Sequence, residues 1–333
     1  MRNKKFIVWL FGLSIALVIA ILLSVRIGTV ELSYSDIWQI LIGKGDQRLR
    51  MVFLDFRLPR TTIAILIGAA LAVSGTIMQG VSRNSLADPG ILGINAGAGL
   101  MVMLYVFFFG ISASSSIFLL PVLALIGASA AALLIFILAY KKQEGLSPIR
   151  LVLSGIGVAA GISAAITILT IQFNPQQYQF IATWLAGSIW GTSWIFVLAL
   201  LPWLVVLLPY VYSRSNVLNI LMLSEDTASG LGARITLEQL KMLAVAVGLA
   251  AAAVSVSGGI GFVGLIAPHI ARICVGARHQ RLLPISALFG ALLVIIADML
   301  GRSLMNGNEI PVGVVTAVIG APYFIFLLLR AKV

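Results

Sequence analysis

Charge is scarce in this chain of 333 residues: 10% are Asp, Glu, Lys or Arg, and only 11 of those are acidic. Soluble domains run at about 25% charged, so an ordinary soluble enzyme is excluded. The single cysteine, Cys274, excludes an intrachain disulfide and a thiolate metal site. Only two histidines occur, His269 and His279, and neither has a carboxylate or cysteine at ligand spacing. No cofactor and no metal centre are therefore expected. The phosphate-binding pattern G-x-x-x-x-G-K-[ST] is also missing; its nearest fragment, Gly43-Lys44, runs on into Gly45. If ATP powers this protein, another chain must bind it.

Apolar sequence fills the rest. The chain is 60% hydrophobic with a mean hydropathy of +1.09. At about 20 residues per helical crossing, it holds about ten spans and little else, so residues 1–333 read as one integral membrane domain. The spans fall near 6–26, 61–81, 91–110, 117–140, 149–172, 188–212, 238–257, 264–277, 284–298 and 312–329. The first follows Met1-Arg-Asn-Lys-Lys5, but it is longer than the roughly 7–15 residues of a signal peptide and lacks an A-x-A site. It is expected to stay attached and to span. The eighth and ninth look too short to cross unaided, and Gly and Pro punctuate the sequence around them. Broken helices of that kind are typical of transporters.

Basic residues set the orientation. With ten spans both termini share a side, and placing them in the cytoplasm puts fifteen of the 22 Lys and Arg residues there, as the positive-inside bias requires. Arg26, Lys44, Arg48, Arg50, Arg57, Arg60 and Arg302 remain outside. The net charge of +11 is then a membrane protein's bias plus an exterior cluster, not a nucleic-acid footprint. A basic group outside invites an acidic partner arriving from that side, and Arg57-Leu-Pro-Arg60 is its most distinctive part.

Other motifs have bland readings. Gly259-Ile-Gly261-Phe-Val-Gly264 matches G-x-G-x-x-G, but it follows an apolar helix and Pro268 comes four residues later, so a close turn between helices fits better than a dinucleotide site. Pro268-His269 reads as capping or packing a helix end. Asp298 and Arg302, four apart, suit a helix-surface pair that also presents Arg302 to a partner. Residues 223–233 lie in the longest internal loop, where Ser224 suits the N-cap of a short exposed helix and Gly230 or Gly232 its end. Gly68-Ala-Ala-Leu-Ala-Val-Ser-Gly75 is echoed by Ala250-Ala-Ala-Ala-Val-Ser-Val-Ser-Gly258. The two lie on spans entering from opposite sides, the mark of an inverted repeat.

Taken in order, these motifs resemble the FecCD-type permeases of ABC importers for iron–siderophore complexes, haem and cobalamin. The resemblance covers essentially the whole chain. Besides those above, it rests on Gln79, Arg83-Asn-Ser-Leu-Ala-Asp-Pro89, Gly93, Trp184-Leu-Ala-Gly-Ser188, Gly261-Phe-Val-Gly-Leu-Ile-Ala-Pro-His269, Arg272 and Glu309-Ile-Pro-Val-Gly313. Ser85 departs from the family's usual proline after Asn84.

The resemblance implies an all-α integral membrane protein of the type II ABC importer fold. Its partners would be a second permease chain, like or homologous, two cytoplasmic ATPases, an external binding protein and membrane lipid. It implies that Arg57, Arg60 and Arg302 receive glutamates of the binding protein, as rim-exposed pairs that set registry and on-rate. It assigns Ser224, Glu225, Asp226, Ala228, Gly230, Leu231 and Gly232 to contact with the ATPase. It also assigns the cytoplasmic gate to Asn84, Ser85 and Leu86 with Ser147, Pro148 and Ile149. The fifth and tenth spans would line the pathway. Nothing in the fifth (Ser154, Ser163, Thr167, Thr170) chelates iron, in keeping with passage of an intact ferric siderophore. Haem or cobalamin is the alternative cargo. A self-sufficient secondary transporter or channel would need a charged site within a span, whereas almost every charge here stands at a span end. Nor does any span hold the clustered His, Asp or Glu of a membrane enzyme.

Overall fold

In lipid a chain must satisfy its own main-chain hydrogen bonds, so apolar runs fold as helices. The structure, a computed structural model, describes residues 2–28, 32–110, 116–141, 145–223, 235–304 and 309–330. Helix α1 (Arg2–Arg26) leads to a short α2 (Tyr34–Leu41). A 36-residue helix follows, made of α3 (Gln47–Met51), a π turn (Val52–Arg57) and α4 (Leu58–Ser82). A 3-10 turn (Pro89–Leu92) precedes α5 (Ile94–Phe109). Next come α6 (Ser116–Ala139), a small antiparallel hairpin (Tyr140–Lys141 with Gly145–Leu146) and α7 (Pro148–Thr170). The chain continues through α8 (Pro175–Leu185), α9 (Trp194–Ser213), α10 (Ser215–Leu221), α11 (Ile235–Ser257), α12 (Val263–Val275), α13 (His279–Ser303) and α14 (Val312–Arg330).

Among the described residues eight helices are long and apolar enough to cross a membrane, and α5 and α12 are shorter apolar helices. Together they match the ten expected spans. The ninth span needs correction. Far from short, α13 runs 25 residues, because Pro284 sits in its second turn and interrupts only one main-chain bond there. Two helices escape a hydropathy reading. Both α2 and α8 are short, and each starts at a capping box: Ser33 with Asp36, and Asn174 with Gln177.

Arg57 and Arg60 also lie elsewhere than expected, within a continuous helix and not in a connecting loop. The π turn makes this possible. The Leu58 N–H bonds five residues back to Phe53 O, leaving the Leu54 carbonyl free. The indole of Trp194 donates to that carbonyl at 2.9 Å. The widened turn therefore leaves the Leu54 carbonyl bonded to Trp194 and not unpaired.

Helices α4 and α11 form the centre, whereas α1 and α7 are mostly exposed. Burial drives helix association weakly in lipid, so close backbone approach matters more. Glycines supply it. A Cβ on Gly75 would overlap the backbone of Gly264 in α12, and one on Gly68 that of Gly290 in α13. Gly97 and Gly127 bring α5 and α6 together in the same way.

The expected internal repeat is visible in the packing. Helices α4 to α7 run long, short, long, long, and so do α11 to α14. The first of each set packs on the third of the other: α4 on α13, and α11 on α6. Within the sets, α5 packs on α6 and α12 on α13. This reciprocal exchange is what two copies of one unit produce.

Candidate functional site

One end of the bundle is organised around a single carboxylate. Asp298 of α13 is 1% exposed, and Arg60 donates to its Oδ1 from Nε at 2.9 Å and from Nη2 at 2.8 Å. The Arg302 Nη2 lies 2.9 Å from Oδ2. Arg60 also forks onto Glu309, with Nη1 3.1 Å from Oε1 and Nη2 2.8 Å from Oε2. Arg302 reaches α1, donating to the carbonyls of Ser24 and Ile27 and to Ser24 Oγ. Arg57 donates to the Ile27 carbonyl as well. A side chain at Gly28 would overlap the Arg57 guanidinium and force it to move. The network therefore ties together α1, α4, α13 and the segment entering α14.

This corrects the expectation of rim-exposed arginines. The side chains of Arg60 and Arg302 are only 14% and 4% exposed, and Arg57 is buried. A carboxylate as deeply placed as Asp298 needs charged partners to offset its desolvation, and it draws them inward. The helical Asp298–Arg302 pair forms as the spacing suggests. The exposed basic residues at this end are Arg26, Lys44, Arg48 and Arg50.

Along the bundle runs an apolar cavity of about 530 Å³. Helix α7 lines it with Val152, Gly155, Ile156 and Ala159, and α14 contributes Phe324. The fifth and tenth spans thus both line this groove. Phe262 and Leu265 form another wall; Phe262 adopts a left-handed conformation (φ 67), and its ring fills the space beside Gly320. Thr167 and Thr170 bond back to carbonyls of α7 itself. Among the described residues no group of three His, Cys, Asp or Glu side chains is placed to hold a metal ion.

The opposite end holds the two expected gate turns. Asn84 Oδ1 accepts from the Leu86 N–H at 2.9 Å, which folds residues 84–87 into a tight turn. Asn84 and Ser85 are exposed, whereas Leu86 lines the groove. Ser147 and Pro148 open α7, and the exposed Ile149 stands one turn before Val152 on the same face. Asp88 also borders the groove; burial pushes its carboxyl up to about 6, against the pull of the Gly90 N–H. The expected ATPase-contact residues, Ser224, Glu225, Asp226, Ala228, Gly230, Leu231 and Gly232, lie outside the described residues. His269 sits in mid-helix, correcting the expected helix end, with its ring edge-on to Tyr323 at 5.9 Å.

The FecCD transport family matches residues 16–330. The chain belongs to that family. Among its relatives is the iron(3+)-hydroxamate import system permease protein FhuG of Bacillus subtilis, 46% identical over 320 residues and 95% of each chain. The hemin transport system permease protein HmuU of Yersinia pestis is 39% identical, covering 96% of this chain and 95% of its own. Among solved structures, a metal-chelate type ABC transporter in an inward-facing conformation superposes with a TM-score of 0.84. It is 34% identical and covers 96% of this chain and 98% of its own. This FecCD protein is accordingly a multi-pass membrane permease of an ABC importer, a transport subunit and not itself a catalyst. Sequence reading missed two parts of its site. Glu309 was visible only as a motif letter, and Trp194 carried no signal of its bond to the π turn.

Proposed function

We propose that this permease carries a ferric siderophore from the outside of the cell to the cytoplasm. The observation that carries the reading is the apolar groove between α7 and α14, with Leu86 at one end. Its volume suits a ligand of several hundred daltons, and its wall passes a chelate without competing for the iron. A second permease chain, facing the exposed sides of α7 and α14, would complete the pathway. The gate residues Asn84, Ser85, Leu86, Ser147, Pro148 and Ile149 would then close its cytoplasmic end. Both termini lie in the cytoplasm on this reading, and the Asp298 network faces outward.

Docking of an external binding protein falls to that outward face. Arg57, Arg60 and Arg302 carry one more charge than Asp298 and Glu309 offset, and Lys44, Arg48 and Arg50 extend the field. Glutamates of the binding protein would meet this field and gain registry and on-rate more than affinity. Two ATPases would bind from the cytoplasm at residues 224–232. The cargo reading follows the hydroxamate relative at 46% identity, and haem, named for a relative at 39%, is the alternative cargo.

Proteoliposomes holding the permease, ATPase and binding protein test it. Offered ferric hydroxamate, ferric citrate and haem in turn, they are expected to accumulate a ferric siderophore only with ATP. Accumulation of haem alone would replace the siderophore reading, and uptake without the ATPase would overturn the importer reading.

A further inference from the structure

The last residue before the gate turn is held from a distant part of the chain. Arg83 ends α4 in the left-handed conformation (φ 51), which residues with a side chain rarely adopt. Its Nε donates to the carbonyl of Leu221 at 2.9 Å, across 138 positions of sequence. Leu221 is the final residue of α10, so its carbonyl is one that a helix end leaves without an intrahelical partner. Beyond it only Met222 and Leu223 separate α10 from residues 224–232.

Helix α10 is in turn fastened to the start of α13. Asn219 Oδ1 accepts from the main-chain N–H of His279 at 3.0 Å and lies 2.8 Å from its Nδ1. Asn219 Nδ2 donates to Gln280 Oε1 at 3.0 Å, and Gln280 donates to Asn216 Oδ1. The His279 ring is fully buried against α4, where a Cβ on Gly80 would lie 3.0 Å from Nε2. Leu218 and Leu221 are buried in the same block. Arg83 thus joins the end of α10 to the end of α4, next to Asn84 and the groove-lining Leu86.

We propose that Arg83 is a positioning residue that transmits movement of the ATPase-contact segment to the cytoplasmic gate. It touches neither cargo nor nucleotide and acts through the turn it anchors. The proposal rests on the reading that residues 224–232 meet the ATPase.

The test uses the assembled importer with its binding protein. In Arg83→Ala, ATP hydrolysis and ATPase co-purification are expected to persist. Cargo moved per ATP is expected to fall about tenfold, as loss of a charged hydrogen bond implies. Arg83→Lys, which still offers a donor to Leu221, is expected to recover part of the ratio. A cysteine at Leu86, in a Cys274→Ser background, should react with thiol reagents at an ATP-dependent rate that Arg83→Ala abolishes. A merely structural cap would lower the amount of complex and leave the ratio unchanged, and an unchanged ratio overturns the proposal. Should Arg83→Ala fail to assemble, Asn219→Ser loosens α10 without touching α4 and must show the same fall, or the proposal is wrong. A separate arm, Gly230→Trp, probes the ATPase contact itself. If it keeps both ATPase association and uptake, the contact reading fails, whatever Arg83 does.

Discussion

Replacing Asp298 by alanine is expected to cost about 3–5 kcal/mol and to abolish uptake, because it takes the only carboxylate from the buried Arg302 and leaves Arg60 with Glu309 alone. Asp298 is 1% exposed, and its partners Arg60 and Arg302 are 14% and 4% exposed, so water replaces little of what is lost. Asp298→Asn keeps one acceptor oxygen and should fall between the wild type and alanine. Lys241→Gln serves as the contrast. Its pair with Glu238 is a helix-surface contact with the lysine 39% exposed, worth about 0–1 kcal/mol. Thermal unfolding of the purified permease separates the two. Equal stability of the Asp298→Ala and Lys241→Gln proteins would show that the network is not structural. The same geometry changes how docking is probed. A glutamate at position 60 would place a third carboxylate beside Asp298 and Glu309 and damage the fold before any partner arrives. Reversal at the exposed Lys44, Arg48 and Arg50 avoids that and isolates the long-range field.

Gly75→Leu is expected to be as damaging for a different reason. A Cβ at Gly75 would overlap the Gly264 backbone, so α4 and α12 would have to separate along their crossing. Overpacking against side chains costs about 1–3 kcal/mol. Here the obstacle is backbone, which has no rotamer to yield, so the loss should reach or exceed the top of that range. Gly161→Ala in α7 provides the control, since nothing lies within 4 Å of a Cβ there. It should be neutral or slightly stabilising, because alanine favours helix over glycine by about 1 kcal/mol. Folded yield and unfolding temperature of the two variants decide the point. A well-folded Gly75→Leu permease would contradict the crossing.

Much of this arrangement was legible in the sequence, and what escaped did so for identifiable reasons. Ten apolar spans and the small-residue stretches at Gly68 and Gly258 follow from composition and repetition. The fate of Arg57, Arg60 and Arg302 did not. Hydropathy sorts charges by side, and it placed these arginines at one mouth of the bundle. Their inward turn depends on Asp298, 238 positions from Arg60, a separation that no local pattern spans. The same holds for Arg83 and Leu221. Helices α2 and α8 carry capping boxes but too little apolar sequence to register as spans. The length of α13 was hidden by Pro284, which marks a break in most contexts but lies near the start of this helix.

The central claim is that the groove between α7 and α14 is half of the transport pathway. Ile156 lines it from α7 and is 60% exposed, so a cysteine there, with Cys274 replaced by serine, gives a single reactive thiol. Uptake of ferric siderophore by the reconstituted importer is measured before and after attachment of a bulky maleimide at that thiol. The account predicts that labelling stops uptake while ATP hydrolysis continues, and that cargo in transit slows the labelling. Full uptake by quantitatively labelled protein would contradict it.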